Sequence, residues 1–469
     1  MKGDFSRLRD GTPYASVRLQ QGRVLLDAEF NEQVDIAERA RRVGLADVHG
    51  PGGAPASSTD RSIYPTGTVD ALHFAVLPSS TGTRLEISPG RIYVDGVCCE
   101  NTAICSLANQ PDLVDGADPD ADGLYLVWLD VWNHHVSATE NAELKESALG
   151  GPDTATRTRN VWQVRALAID APPAWDRAGL RSVHDRIAEW EAATGERGSV
   201  EAPTGRFTAG TEETVATASA CLPPADAAWR GLQNQLYRIE VHRSGVLSPD
   251  ASATLPIEQT LATFKWSRDN GSVVWPVTAI AISSTSQETT LTLGATPPDE
   301  RYGFAVGDMV EVFDDRHVFD GLQARLFQVL SSSGTSLVLR GAVDDVVLTD
   351  DDDHSLHAQA RRWHPVDGVA DADDADGIPV DADAAISLED GLTASFSEGT
   401  YITGDFWTVP ARALAGELVW PTTDGDADAL PPTGVERRHV CLALVERTAG
   451  AWRLVQDLRP QLAPISEAL

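Results

Sequence analysis

The stretch Gln20 to Gln33 reads QQGRVLLDAEFNEQ and places three carboxylates, Asp27, Glu29 and Glu32, close together. Paired carboxylates can do general acid–base work, but two of them must then face one another across a reacting bond. Here Leu26, Phe30, Val34 and Ala37 recur at helical spacing instead. Asp27 reads as a helix cap, with Glu29 and Glu32 in the first turn, where the dipole favours anions. Gln20, Gln21 and Arg23 lie just ahead of it as adhesive groups.

Four further segments carry residue types that could do chemistry. Asp118-Pro119-Asp120-Ala121-Asp122-Gly123 matches the start of a calcium loop, because carboxylates two apart can wrap a hard cation. Its twelfth position is Leu129, where a bidentate Glu should stand, and an apolar strand follows rather than a helix. An acidic surface is the stronger reading. The run Asp350 to His357, DDDDHSLH, sets an HxxH beside four Asp and could hold a transition metal, although its flanks read as a solvated loop. In ALGGPDTATRTRN (148–160), Arg157 and Arg159 alternate with Thr as on an extended segment and could fork onto an anion. In so acidic a chain, pairing with carboxylates of this chain or a neighbouring subunit is the stronger expectation. Lys265-Trp266-Ser267-Arg268-Asp269-Asn270-Gly271 suggests a nucleophile, but Asp-Asn-Gly is also a hairpin turn and no base is identifiable. The sequence has no GxSxG, P-loop, HExxH or Rossmann fingerprint.

The composition limits the partners. The 469 residues carry 70 acidic against 37 basic side chains, net −33, and 42% are apolar. Only Lys2, Lys145 and Lys265 are lysines. Such a charge is tolerable where salt shortens the Debye length to about 3 Å, so the composition points to a salt-loving, haloarchaeal source. No basic stripe is available to neutralise phosphates, which argues against nucleic acid. No apolar run reaches the roughly 20 residues of a membrane span, and MKGDFSRLRD has no signal-peptide core. The five cysteines, Cys98, Cys99, Cys105, Cys221 and Cys441, form no CxxC pair and fit reduced thiols.

Five stretches would position these groups. Residues 1–60 read as an arm, a helix and a Gly/Pro/Ser linker. Residues 61–170 read as a β module, with a hairpin RLEISPGRIYVDG turning at Ser88–Arg91, then the strands LYLVWLDVW and VWQVRALAI. Residues 171–230 carry a second helix over 175–195, with Leu180, Val183, Ile187 and Trp190 as its stripe. Residues 231–385 read as a β barrel or sandwich, with a hairpin around Asp269-Asn270-Gly271 and an acidic loop from 350. Residues 386–469 complete the chain as a last β module. The expected fold is mostly β and multi-module, of antiparallel sandwiches or small barrels, with an N-terminal helix and one more near 175–195.

MKGDFSR, QQGRVLLDAEFNEQ, ALGGPDTATRTRNVWQVR, GLQNQLYRIEVH, FKWSRDNGSVVWP and LEDGLTASFSEGTYITGDFWTVPAR resemble, in order, an uncharacterised family. Its members are found with the sheath, tube and baseplate proteins of extracellular contractile injection systems, which are phage-tail-like particles. The resemblance implies a non-enzymatic component at or near the baseplate, or a fibre-like appendage, with no cofactor. The implied partners are other injection-system subunits (baseplate, spike or sheath-end proteins) and further copies of this chain. Assembly in the cytoplasm and release on lysis would need neither signal peptide nor disulfide. Arg7, Arg9, Gln20, Gln21, Arg23, Leu26, Phe30, Arg157 and Arg159 are the expected contact residues, with Asp118, Asp120 and Asp122 the candidate calcium ligands. Two other readings stand beside this one: a calcium-assisted glycan-binding module using exposed Trp, and a polysaccharide hydrolase with two facing carboxylates.

Overall fold

The computed structural model describes residues 6, 13–50, 52–55, 72–151, 153–169, 203–212, 229–247, 262–350, 354–365, 377–381 and 385–462. Arg7, Arg9 and the helix expected over 175–195 lie outside the described residues. The chain is mostly β, with one long helix among those residues, Asp27–His49. It divides into two compact units, each drawn from discontinuous segments. The first combines 1–136, 156–201 and 436–469; the second combines 137–155 and 202–435.

In the first unit, the strand Gly123–Val136 lies between Arg157–Ile169 and Arg437–Thr448, and Ala451–Asp457 completes a four-stranded antiparallel sheet. LYLVWLDVW is buried on both faces, as its continuous apolar run predicts. Tyr125, Val127, Leu129 and Val131 join a core with Ile87, Ile92, Val94 and Leu442. Leu126 and Trp128 point the other way, into a smaller cluster with Ile169, Cys441 and Leu444. Alternate residues of a strand face opposite sides, so one strand can serve two cores.

The hairpin expected from Leu85 to Val94 does not form. Leu85–Ile87 pairs with Val76–Pro78 and Cys105–Ser106, whereas Gly90–Val94 pairs with Gly52–Pro55 and Val97–Asn101. The Ser88–Arg91 bend is therefore a corner between two sheets. Ser88 braces it by accepting the Ala75 amide through its hydroxyl, and Gly90 holds φ +140° against the backbone of His73. The hairpin is one strand later, with Asp95 (φ +46°) and Gly96 (φ +74°) as its turn.

The second unit holds a five-stranded sheet in the order Ile378–Pro379, Thr263–Ser267, Gln235–Arg243, Phe406–Arg412, Glu417–Leu418. Its aromatic core includes Phe207, Tyr237, Phe264, Trp266, Phe396, Tyr401 and Trp407. Beside this sheet the same unit closes a six-stranded barrel: Val274–Ile282, Glu288–Leu293, Ser336–Arg340, Arg325–Ser333, Met309–Phe313, Gln359–Trp363. The alternating run 302–343 supplies three of these strands. The last in chain order, Gln359–Trp363, comes from within the expected acidic loop and is buried at Ala360 and Trp363. The Asp269-Asn270-Gly271 turn is present, with Asn270 and Gly271 at φ +54° and +60°. The strands it joins do not pair: Thr263–Ser267 stays in the sheet and Val274–Ile282 enters the barrel. The stretch 386–469 also divides, with Leu392–Phe396 and Phe406–Arg412 in the second unit and Arg437–Thr448 and Ala451–Asp457 in the first.

Candidate functional site

The N-terminal helix starts one residue earlier in its cap than Asp27 suggests. Leu26 is the cap residue, and its carbonyl accepts the Glu29 amide at 3.1 Å. Glu29 in turn reaches back to the Leu26 amide at 3.4 Å, which leaves Asp27 as the first helical residue. Gln20 and Arg23 close a turn ahead of it, the Arg23 amide donating to the Gln20 carbonyl at 3.3 Å. Gln21 is exposed beside them. The inward face carries Ala28, Glu32 and Ile36. Arg42 anchors the far end through Asp95 at 3.1 Å and Glu436 at 2.8 Å. The outward side carries an apolar stripe, with Leu26 40% exposed, Phe30 64% and Val34 47%, beside exposed Asp27, Glu38 and Arg39. This inverts the usual arrangement, in which the apolar stripe is the buried one.

The other sequence candidates are taken up by their own chain. Asp122 accepts the amides of Ala449 at 2.7 Å and Gly450 at 3.2 Å and pairs with Arg447 at 3.1 Å. It therefore clasps the 448–451 turn. Burial pushes the Asp118 carboxyl up, and Asp120 is exposed and gives its carbonyl to Arg447. Among the described residues no three His, Cys, Asp or Glu gather as a metal cluster. His354 turns to Asp350 at 3.1 Å and His357 to Asp315 at 2.7 Å, so the HxxH pair diverges. Arg157 and Arg159 lie on the strand Arg157–Ile169. Arg159 pairs with Asp112 at 2.7 Å, and Arg157 bonds the Thr156 carbonyl at 3.0 Å. Trp128, Trp162 and Trp266, the platform a glycan site would use, are buried.

The sequence does not single out a buried charge cluster of the second unit. Arg238 and Glu240 sit two apart on one face of Gln235–Arg243, and Glu240 is in register with Lys265. Arg238 Nε donates to Glu240 Oε2 at 2.6 Å, and Lys265 Nζ lies 3.1 Å from Glu240 Oε1. Lys265 also bonds Glu311, which accepts the Trp363 indole N–H at 2.9 Å and faces Arg361 at 3.5 Å. Arg238 stacks on Phe406, 3.6 Å from the ring centre. Burial pushes both glutamates up. Arg238 and Lys265 outweigh it at Glu240, and Lys265 and Arg361 outweigh it at Glu311, so both are held below the ordinary carboxylate range. Three cations thus enclose two anions, which suits an ionic lock between sheet and barrel rather than proton transfer. Lys265, Ser267 and Asp269 serve separate ends: Ser267 Oγ accepts the amides of Asp269 at 3.2 Å and Gly271 at 3.0 Å. The legible signal was Arg-x-Glu inside an apolar strand, YRIEV, with a lysine inside another, TFKWS.

A model for a family of unknown function, DUF6519, matches residues 1–207 and 197–454. The chain belongs to this family. No curated protein and no solved structure matches the chain. The DUF6519 match takes in the N-terminal helix and all the residues of the buried lock. No helix among the described residues is long and apolar enough to cross a membrane.

Proposed function

We propose that this DUF6519 chain is a structural component of a phage-tail-like contractile injection particle, baseplate-associated or fibre-like. On this reading it works through protein–protein contacts, without catalysis. The observation that carries the proposal is the outward apolar stripe Leu26, Phe30 and Val34 on a helix pinned from behind by Arg42. Exposed apolar surface on a fixed element is characteristic of an interaction site. The resemblance of its motifs to those of proteins found beside sheath and baseplate components supplies the context. The internal pairing of the other candidate charges also favours a rigid building block over a reaction centre.

The test is incorporation. Deleting residues 1–45, or making Phe30→Asp with Val34→Asp in the full chain, is expected to leave soluble protein that no longer enters particles. Pull-down of particle subunits and electron microscopy of purified particles would measure this. Normal incorporation of the double variant would sink the proposal.

A further inference from the structure

The exposed face of the N-terminal helix extends past Phe30 and Val34. Phe30, Val34, Ala37, Arg41, Gly44 and Val48 follow one another at alternating steps of four and three, and all six are exposed. That is the spacing of a two-helix seam. Gly44 adds an independent mark. A glycine inside a helix costs about 1 kcal/mol relative to alanine, a cost that a packing contact can offset. A Cβ at Gly44 would meet nothing within 4 Å in this chain, so internal packing supplies none. An outside side chain seated over Gly44 would supply one.

We infer that the N-terminal helix pairs antiparallel with the same helix of a second copy. This rests on the contact role proposed above and names its partner. The seam is self-complementary only in that direction. Run antiparallel about an axis near its middle, Phe30 faces Val48, Val34 faces Gly44, and Ala37 faces Arg41, so large residues meet small ones. Arg41 then also reaches Glu38 of the second copy, extending the loose 4.0 Å pair it makes with its own Glu38. A parallel pair would set Arg41 against Arg41, a like-charge clash. A two-fold contact of this kind closes on itself and stops at a dimer. The helix has 23 residues, and at 1.5 Å per residue the seam from Phe30 to Val48 runs about 27 Å.

The experiment uses the full chain in molar salt. Val34→Cys and Gly44→Cys chains, mixed and oxidised, are expected to cross-link to each other, and neither alone to exceed wild type. Sedimentation equilibrium should show a wild-type dimer, with Phe30→Asp weakening it about tenfold or more, as loss of a buried aromatic anchor does. Self-cross-linking of Val34→Cys alone, or a wild-type monomer, overturns the pairing. If the wild type is monomeric and Phe30→Asp still blocks incorporation, self-pairing fails and the assembly role stands. If the chain dimerises but Phe30→Asp with Val34→Asp enters particles normally, the pairing stands and the assembly role fails.

Discussion

His317 shows how one buried residue sets a pH dependence. It occupies a single π-helical turn, Arg316–Asp320, and its Nδ1 lies 2.8 Å from Asp314. Burial pulls its pKa down, but hydrogen bonds to Asp314 and Asp345 outweigh this and raise it to about 9. Asp314 is likewise held well below the ordinary carboxylate range, by His317, Arg316 and the Val347 amide against the push of burial. A folded-state pKa above the unfolded value of about 6.5 contributes stability that is complete below that pH and lost as pH rises through 9. Urea unfolding at constant salt should show stability falling between pH 7 and 9.5 by on the order of 3 kcal/mol. A His317→Gln chain should start lower and stay flat across that window; an unchanged slope would refute the assignment. At this scale the sequence displayed the charges but not their pairing. Asp315 and His357 are far apart in the chain and meet only because the barrel closes.

At the scale of elements, local chemistry was legible and partnership was not. The bends at Ser88–Arg91 and Asp269–Gly271 occur where turn residues put them, yet each joins strands of different sheets. A turn sets chain direction over a few residues; the sheet a strand joins depends on which apolar face finds a core. The true Asp95-Gly96 turn also docks the N-terminal helix. A Cβ on Gly96 would sit 2.2 Å from the Arg42 carbonyl oxygen, and its φ is +74°. Gly96→Ala should therefore destabilise the first unit by roughly 2 kcal/mol or more, through strain and a backbone clash. It should also increase amide exchange along 27–49. Hydrogen exchange by mass spectrometry would read both, and unaltered protection of the helix would contradict this docking. The helix itself was predicted well by period, but its apolar stripe faces outward, which period alone cannot specify.

For the whole molecule, the order of modules along the chain is not their order in space. Arg437–Thr448 sits beside Gly123–Val136, and Phe406–Arg412 sits beside Gln235–Arg243. A chain cut after residue 385 would lose a central strand from each of the two sheets. It is expected to yield neither unit folded, with no cooperative thermal transition and rapid proteolysis; a folded 1–385 fragment would overturn the topology. By itself the sequence determined the strand-rich class, the barrel segment at 302–343, the both-faces burial of LYLVWLDVW and the N-terminal helix. Those follow from side-chain period, turn chemistry and propensity, which act over neighbouring residues. Tertiary structure alone decided that 359–363 closes the barrel, that Glu240 and Glu311 share Lys265, and that Phe30 faces out. Each depends on contacts between distant segments, where burial and ion pairing select one partner among many that the local pattern allows.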